Sequence, residues 1–275
     1  MSGATTQQLV TRVRLGDSGG SPHVDRRDDA IAVEEPLEIR IDGQSWSITM
    51  RTPGDDLDLV AGFLVGEGVI TERGHLASLG QVAGAVFGNT VNAQLAPGAT
   101  PPADAAARHS VTTSACGICG TESIDAIEKD ARWSLDEDET VVTPEVLAVL
   151  PDRLREAQAV FDETGGVHAA GLFTADGELL VVREDVGRHN AVDKVVGWAL
   201  QHDTLPARGT VLQVSGRASF ELVQKARLAG IPMLAAVGAP SSLSRDLADR
   251  SGLTLVGFSR GNAFSVYTHP RRVAV

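Results

Sequence analysis

The sequence predicts an α/β fold: a core of alternating strands and helices over residues 143–275, preceded by a smaller β-rich part with one helix over 31–110. Three observations carry that prediction. In the C-terminal half, short apolar runs such as "GTVLQVSG", "PMLAAVG" and "LTLVGFS" alternate with amphipathic stretches, the pattern of a mostly parallel sheet covered by helices. In the N-terminal half, "LEIRIDGQSWSITM" alternates apolar and polar residues on both sides of Asp42-Gly43, a hairpin signal. Between the two halves, somewhere in 97–142, lies the boundary, and both cysteines fall in its segment 111–142.

Residues 1–30 are polar, rich in Gly, Ser, Asp and Arg, and read as a mobile tail. After the hairpin, "TPGDDLDLVAGFLVGEGVI" predicts a helix. Asp55 or Asp56 is its cap, Leu59, Phe63 and Gly66 recur at helical spacing, and it ends at Gly66 or Gly68. Residues 81–95 read as a weaker strand pair, and "APGATPPADAAARHS" as a loop. The stretch "TESIDAIEKDA" predicts a short helix capped by Thr121, and "DEDE" at 136–139 an acidic surface loop. "TPEVLAVLPDRLREAQAVF" is a helix broken or kinked at Pro151. "VHAAGLFTADGELLVVRED" gives two strands around Asp176-Gly177. "NAVDKVVGWALQ" is an amphipathic helix with Val192, Val195, Val196 and Ala199 on one face. "RASFELVQKARLAG" is a helix closed by Gly230, "SSLSRDLADRSG" another, and "AFSVYT" the last strand.

The formal net charge is −12, from 24 Lys and Arg against 36 Asp and Glu, so nucleic acid is repelled unless basic residues are focused in one place. A local anion site built from a few arginines stays open. Apolar runs are far too short to span a bilayer, and the N-terminus has no apolar stretch behind a basic start, so the expectation is a cytoplasmic protein that binds no membrane.

The two cysteines sit together in "SACGICG", as Cys116 and Cys119. Structural zinc wants four ligands, and none of the seven histidines lies at paired metal spacing with another. A thioredoxin-type site puts its first cysteine at a helix N-terminus, where the dipole lowers the thiol pKa; here Cys119 is nearer the expected helix, and no aromatic or proline flanks the pair. Gly117 and Gly120 suit a sulfur that must visit two places.

A second dense stretch is "EDVGRHNAVDKVVG", with Glu184, Asp185, Arg188, His189, Asn190, Asp193 and Lys194 at a strand-to-helix turn. Its alternatives are a salt-bridged surface helix capped by Asn190 or a ligand site in which Arg188 and free helix N–H groups hold a phosphate or carboxylate. "SGRAS", with Ser215 and Arg217, and "GFSRGNAF", with Arg260, are arginine-bearing turns at equivalent strand ends. Three such turns together would form an anion pocket at the crevice where α/β sheets bind ligands. In "GGVHAAG", the spacing differs from zinc deaminases, since Ala170 stands where their glutamate would and the CxxC lies upstream without its proline. His168 is either a partly buried histidine or a site residue.

Taken in order, "EEPLEIRIDG", "TPGDDLDLVAGFLVGEG", "CGICG", "GGVHAAGLF", "EDVGRHNAVDKVVG", "SGRASFELVQKARLAGIP" and "LVGFSRGNAFSVYT" resemble the formate dehydrogenase accessory sulfurtransferase family (FdhD), from about Glu34 to about Thr268. The resemblance implies a cytidine-deaminase-like three-layer α/β core without zinc, and a homodimer. It implies a sulfur carrier that takes sulfur from a cysteine desulfurase as a persulfide on Cys116, with Cys119 as partner. The sulfur is delivered to the molybdenum bis(molybdopterin guanine dinucleotide) cofactor that formate dehydrogenase receives. The segment Phe258, Ser259, Arg260, Gly261, Asn262 and Ala263 matches the family's cofactor-holding region; Arg188, His189, Lys194, Ser215 and Arg217 are further candidates by placement. The alternatives are a cofactor-binding chaperone without sulfur transfer and a CxxC dithiol oxidoreductase.

Overall fold

The computed structural model describes residues 3–15, 21–84, 88–99, 111–112, 129 and 131–275. Cys116 and Cys119, residues 100–110 of the expected loop over 96–110, and all but 129 and 131 of the expected helix over 121–131 lie outside the described residues.

Where the composition suggests a tail, the structure has a two-stranded antiparallel ribbon of β1 (Thr5–Arg14) and β2 (His23–Ala32), in register from Thr5 opposite Ala32 to Arg14 opposite His23. The signal is weak in sequence because most side chains of both strands are solvent-exposed, so polar residues are tolerated throughout and no apolar alternation is required.

The predicted hairpin is β3 (Glu35–Ile41) and β4 (Gln44–Arg51). Asp42 and Gly43 both adopt positive φ, 50° and 80°, which matches the right-handed twist of a two-residue connection. With β5 (Leu76–Gln81), β6 (Thr90–Leu95) and β7 (Val111–Thr112) they form a five-stranded sheet ordered β5-β6-β3-β4-β7. Helix α1 (Asp56–Gly66) follows the hairpin, and its buried residues join the apolar face of this sheet.

The second sheet is mixed rather than mostly parallel. It comprises β8 (His168–Thr174), β9 (Leu179–Asp185), β10 (Thr210–Val214), β11 (Met233–Ala236), β12 (Thr254–Arg260) and β13 (Ala263–Val266), ordered β13-β12-β11-β10-β8-β9. Only β10–β11 and β11–β12 pair in parallel. The connections β8–β9 and β12–β13 are too short for a crossover, so those strands must fold back antiparallel. Helices α4 (Arg188–Gln201), α5 (Phe220–Leu228) and α6 (Ser242–Arg250) cover one face through Leu172, Leu212, Leu234 and Leu255. Helix α2 (Pro144–Glu156) covers the other through Phe173, Val211, Met233 and Val256.

Helix α2 starts as its sequence dictates, with the Thr143 hydroxyl accepting from the Val146 amide and Pro144 in the first turn. It runs through Pro151; the break comes at Ala157–Gln158, before the short α3 (Ala159–Thr164). Packing of Leu147, Leu150 and Leu154 holds the helix together past the proline. Helix α4 is not amphipathic. It is buried on nearly every side, because α1 lies directly against it. At the crossing, a Cβ on Gly62 would stand 1.8 Å from the Asp193 carbonyl oxygen, and one on Gly197 1.8 Å from that of Asp58. Glycine at both positions allows backbone to touch backbone. In the "DEDE" loop, Asp138 is buried and its backbone carbonyl accepts from Arg272, while its three neighbours are exposed.

Candidate functional site

The carboxyl ends of β9, β10, β11 and β12 and the start of β8 meet at one edge of the six-stranded sheet. Register fixes this: His168 opposes Asp185, and Ala170 opposes Val214. Backbone hydrogen bonds then lace the turns together, from Ser215 to Ala169, Gly238 to Gly216, and Phe258 to Gly238. The three arginine-bearing turns therefore share an edge, and α4, α5 and α6 all begin there.

The dense segment at 184–194 is mostly spent on the interior. Asp185, with 0 % exposure, accepts from the amides of Thr52 and Gly187 and from the Asn190 carboxamide. Lys194 pairs with Asp185 at 2.8 Å and donates to the carbonyls of Thr52 and Glu184. Its ammonium thus points into the protein, not into the site, which withdraws it from the candidate ligand contacts. Asn190 also donates to the Met50 carbonyl and does not cap the helix; Gly187 occupies the N-cap. The segment is salt-bridged, but in the interior rather than on the surface: it ties the end of β4 to α4.

His189 is turned toward α5, with Nε2 2.7 Å from Glu221 and 3.3 Å from the Ser219 hydroxyl. Burial raises the Glu221 pKa, but the hydrogen bond and charge of His189 outweigh it and hold it below the ordinary carboxylate value. One turn on, burial pushes the Asp193 carboxyl up to about 6 against the pull of Lys225, 2.6 Å away. Burial acts to lower the Lys225 pKa, yet Asp193 and Glu67 together keep it above its usual value.

The strand-end arginines are in a different state. Arg188, Arg217 and Arg260 make no ion pair or hydrogen bond among the described residues, although the Arg188 charge helps hold Glu221 below its ordinary value; Arg260 has only the Phe258 ring 6.0 Å from its guanidinium carbon. Three guanidinium groups without an ion pair on one edge of an acidic chain have the chemistry to attract an anion. The turn that carries Arg260 is irregular: the register shifts between Gly257 and Arg260, and Phe258 and Gly261 take positive φ of 52° and 58°. Phe258 is thereby exposed, while Ser259 is fully buried with its hydroxyl unpartnered. Gly261 and Asn262 form the tip before Ala263 pairs with Arg260.

Beside this edge lies a cavity of about 600 Å³. Its lining includes His168, Ser215 and Arg260 from the strand ends, and Leu154, Gln158 and Phe161 from α2, α3 and the joint between them. Ser215 Oγ accepts from the Ala169 amide at 2.9 Å. His168 titrates below its ordinary value of 6.5, first because of burial and second because of the Arg188 charge. The α2–α3 wall is the part the sequence does not announce. Residues 151–167 lie far along the chain from 258–263, and only the folded sheet brings them together. The two cysteines lie outside the described residues. The described residues flanking them are Val111–Thr112, paired with β4, and Lys129, whose ammonium is 2.6 Å from Glu67 and 3.3 Å from the Gly66 carbonyl.

The fold is that of a mixed α/β protein with arginine-bearing turns gathered at its strand ends. Residues 32–274 match the model of the FdhD/NarQ family, and the chain belongs to that family. The chain is 54% identical over 281 residues to the sulfur carrier protein FdhD of Streptomyces avermitilis, covering 100% of this chain and 98% of that one. It is 43% identical over 249 residues to the protein of the same name in Sulfolobus acidocaldarius, covering 90% and 92%. Its fold is similar to a crystal structure from Desulfotalea psychrophila assigned to the formate dehydrogenase accessory proteins, with a TM-score of 0.74, 24% identity, and 98% and 99% of the two chains covered. No described helix is long and apolar enough to cross a membrane.

Proposed function

We propose that the protein is a sulfur carrier, a sulfurtransferase serving formate dehydrogenase in the cytoplasm as a homodimer. The observation that carries this reading is the full-length match to relatives named sulfur carriers, in a chain whose only two thiols form one CxxC. The Cys116 thiolate attacks the outer sulfur of a cysteine desulfurase persulfide; a Cys116 persulfide forms and the desulfurase thiolate leaves. The Cys119 thiolate then attacks the inner sulfur of Cys116. The outer sulfur departs as sulfide toward the client, the two thiols supply the electrons as a disulfide, and a dithiol reductant resets the pair.

The client in this reading is the molybdenum bis(molybdopterin guanine dinucleotide) cofactor, a substrate whose phosphates suit Arg188, Arg217 and Arg260. Phe258 to Ala263 form the floor of its seat. Ser215 lines the same edge, while His189 acts through Glu221 and Ser219 at the start of α5. The core is read as kin of the cytidine deaminases with the zinc centre lost, in keeping with Ala170 at the glutamate position.

Mass spectrometry of the full chain after incubation with a cysteine desulfurase and cysteine tests the reading. One added sulfur on Cys116, lost in Cys116→Ala, is the expected result. Guanine-nucleotide binding with no added sulfur would instead indicate a cofactor chaperone. Disulfide turnover with no persulfide would indicate a dithiol oxidoreductase.

A further inference from the structure

Behind the strand ends, a line of charged side chains leads from the first turn of α4 to Lys129, which follows Cys119 by ten positions in the sequence. Lys129 is held to the fold from two sides. Its amide donates to the side-chain oxygen of the buried Gln224 on α5 at 3.2 Å. Its ammonium stands 2.6 Å from the Glu67 carboxylate and donates to the Gly66 carbonyl at 3.3 Å, at the C-terminal end of α1. The side chains of Lys129 and Glu67 are 15 % and 20 % exposed, so most of the pair is shielded from water. Just beyond, Arg132 donates to the Thr71 hydroxyl at 3.0 Å and pairs with Glu72 at 2.6 Å. The loop after α1 thus clamps the chain at 129–132.

Glu67 also acts on a second ammonium. Lys225, next to Gln224 on α5, pairs with Asp193 at 2.6 Å, and a Cβ on Gly66 would stand 2.8 Å from its nitrogen. The Glu67 charge raises the pKa of both Asp193 and Lys225. The charges that act on Asp193 are Lys225 from α5, His189 from its own helix and Glu67 from the end of α1; Glu221, which pairs with His189, acts on Lys225 as well. Asp193 is 2 % exposed, and burial pushes its carboxyl up to about 6. Above that pH the carboxylate is ionised and occupies Lys225. Below it the carboxyl is neutral, and Lys225 keeps its charge with Glu67 and Glu221 still beside it. Lys225 then competes with Lys129 for Glu67.

We propose that Lys129 and Glu67 are positioning residues for sulfur transfer: their pairing fixes the chain ten residues past Cys119, and the Asp193–Lys225 pair keeps Glu67 free for that task. The proposal rests on the sulfur-carrier reading and adds residues that act without touching the sulfur.

Single-turnover sulfur loading tests it. The full-length protein is mixed with a cysteine desulfurase preloaded as its persulfide, and added sulfur on Cys116 is followed by mass spectrometry. Alkylation of Cys116 by iodoacetamide, measured in parallel, reports the reactivity of the thiol itself. Lys129→Met should slow loading about tenfold, a modest share of what misplaced reacting groups cost, with alkylation and melting temperature unchanged. Lys129→Arg, which keeps the charge, should restore most of the rate. As pH falls through about 6, the ratio of loading to alkylation should drop in the wild type. Two variants should lose that drop at opposite levels. Asp193→Asn, neutral throughout, should stay slow at every pH, and Lys225→Met, which removes the competitor, should stay fast. The pH dependence of the desulfurase is common to all of them and cancels between variants. Should Asp193→Asn not fold, the Lys225→Met profile decides. Loading at the wild-type rate in Lys129→Met, or the wild-type pH drop retained in Lys225→Met, overturns the proposal. Equal loss of alkylation and loading in Lys129→Met also overturns it, because the lysine would then serve the fold alone. No added sulfur on wild-type Cys116 at any pH overturns the sulfur-carrier reading itself.

Discussion

Two stretches of this chain carry charged residues at strand-to-helix turns, and they are used in opposite ways. Residues 184–194 hold a high density of ionisable side chains, yet Glu184, Asp185, His189, Asp193 and Lys194 all have partners within the fold. The turns at 215–217 and 258–263 hold one arginine each, and neither arginine is paired among the described residues. Density of chemical residue types therefore does not by itself mark a ligand site. The proposed seat follows instead the charge left without an ion pair where glycine and irregular backbone open the chain. Arg188 is the one charged side chain of the first stretch with no ion pair or hydrogen bond among the described residues, though its charge acts on Glu221 and His168.

The largest way to break this contrast is in the interior. Lys194→Met strands Asp185 as a buried unpaired carboxylate and should cost about 3–5 kcal/mol in denaturant unfolding. Folded protein should still bind guanosine diphosphate as before. Intact stability with lost binding would place Lys194 in the site after all. Gly197→Ala puts a methyl group 1.8 Å from a backbone oxygen of α1 and should cost about 3 kcal/mol, the upper end of ordinary overpacking. An unchanged melting temperature would show that α1 and α4 part easily.

At the strand ends the expected signs reverse. Arg260→Ala should leave the melting temperature within error, because no described carboxylate is stranded, and should weaken guanosine diphosphate about tenfold. The smallest effect is a titration. His168 is held below 6.5 by burial and then by Arg188, so Arg188→Gln should raise its midpoint toward 6.5 by NMR. A folded-state pKa below the unfolded one makes the His168 contribution to stability present above pH 6.5 and lost as pH falls through the folded value. Arg188→Gln should shrink that acid loss. An unmoved midpoint would mean Arg188 does not face the site.

Much of this was legible in the chain because it is local. Asp42-Gly43 and Asp176-Gly177 announce their hairpins, Gly230 closes α5, and the order of strands and helices in the core follows from periodicity alone. The three arginine-bearing turns were also readable, since a strand end followed by glycine and a helix start is a pattern of a few residues. What was not legible depends on neighbours distant in sequence. The fate of Lys194 is decided by Thr52 and Asp185, and the burial of α4 by a glycine contact with α1. The N-terminal ribbon leaves most of its side chains in water, so it gives no buried stripe to detect. Gln158 looks like one more polar residue in a helical run until the fold sets it in the lining of the same cavity as Arg260.

The most direct measurement is the affinity of the wild type and the Arg188→Gln, Arg217→Gln, Arg260→Gln triple variant for guanosine diphosphate, with both melting temperatures recorded. The account predicts binding by the wild type, none detectable in the triple variant, and unchanged melting. Equal affinity in the two proteins would contradict it.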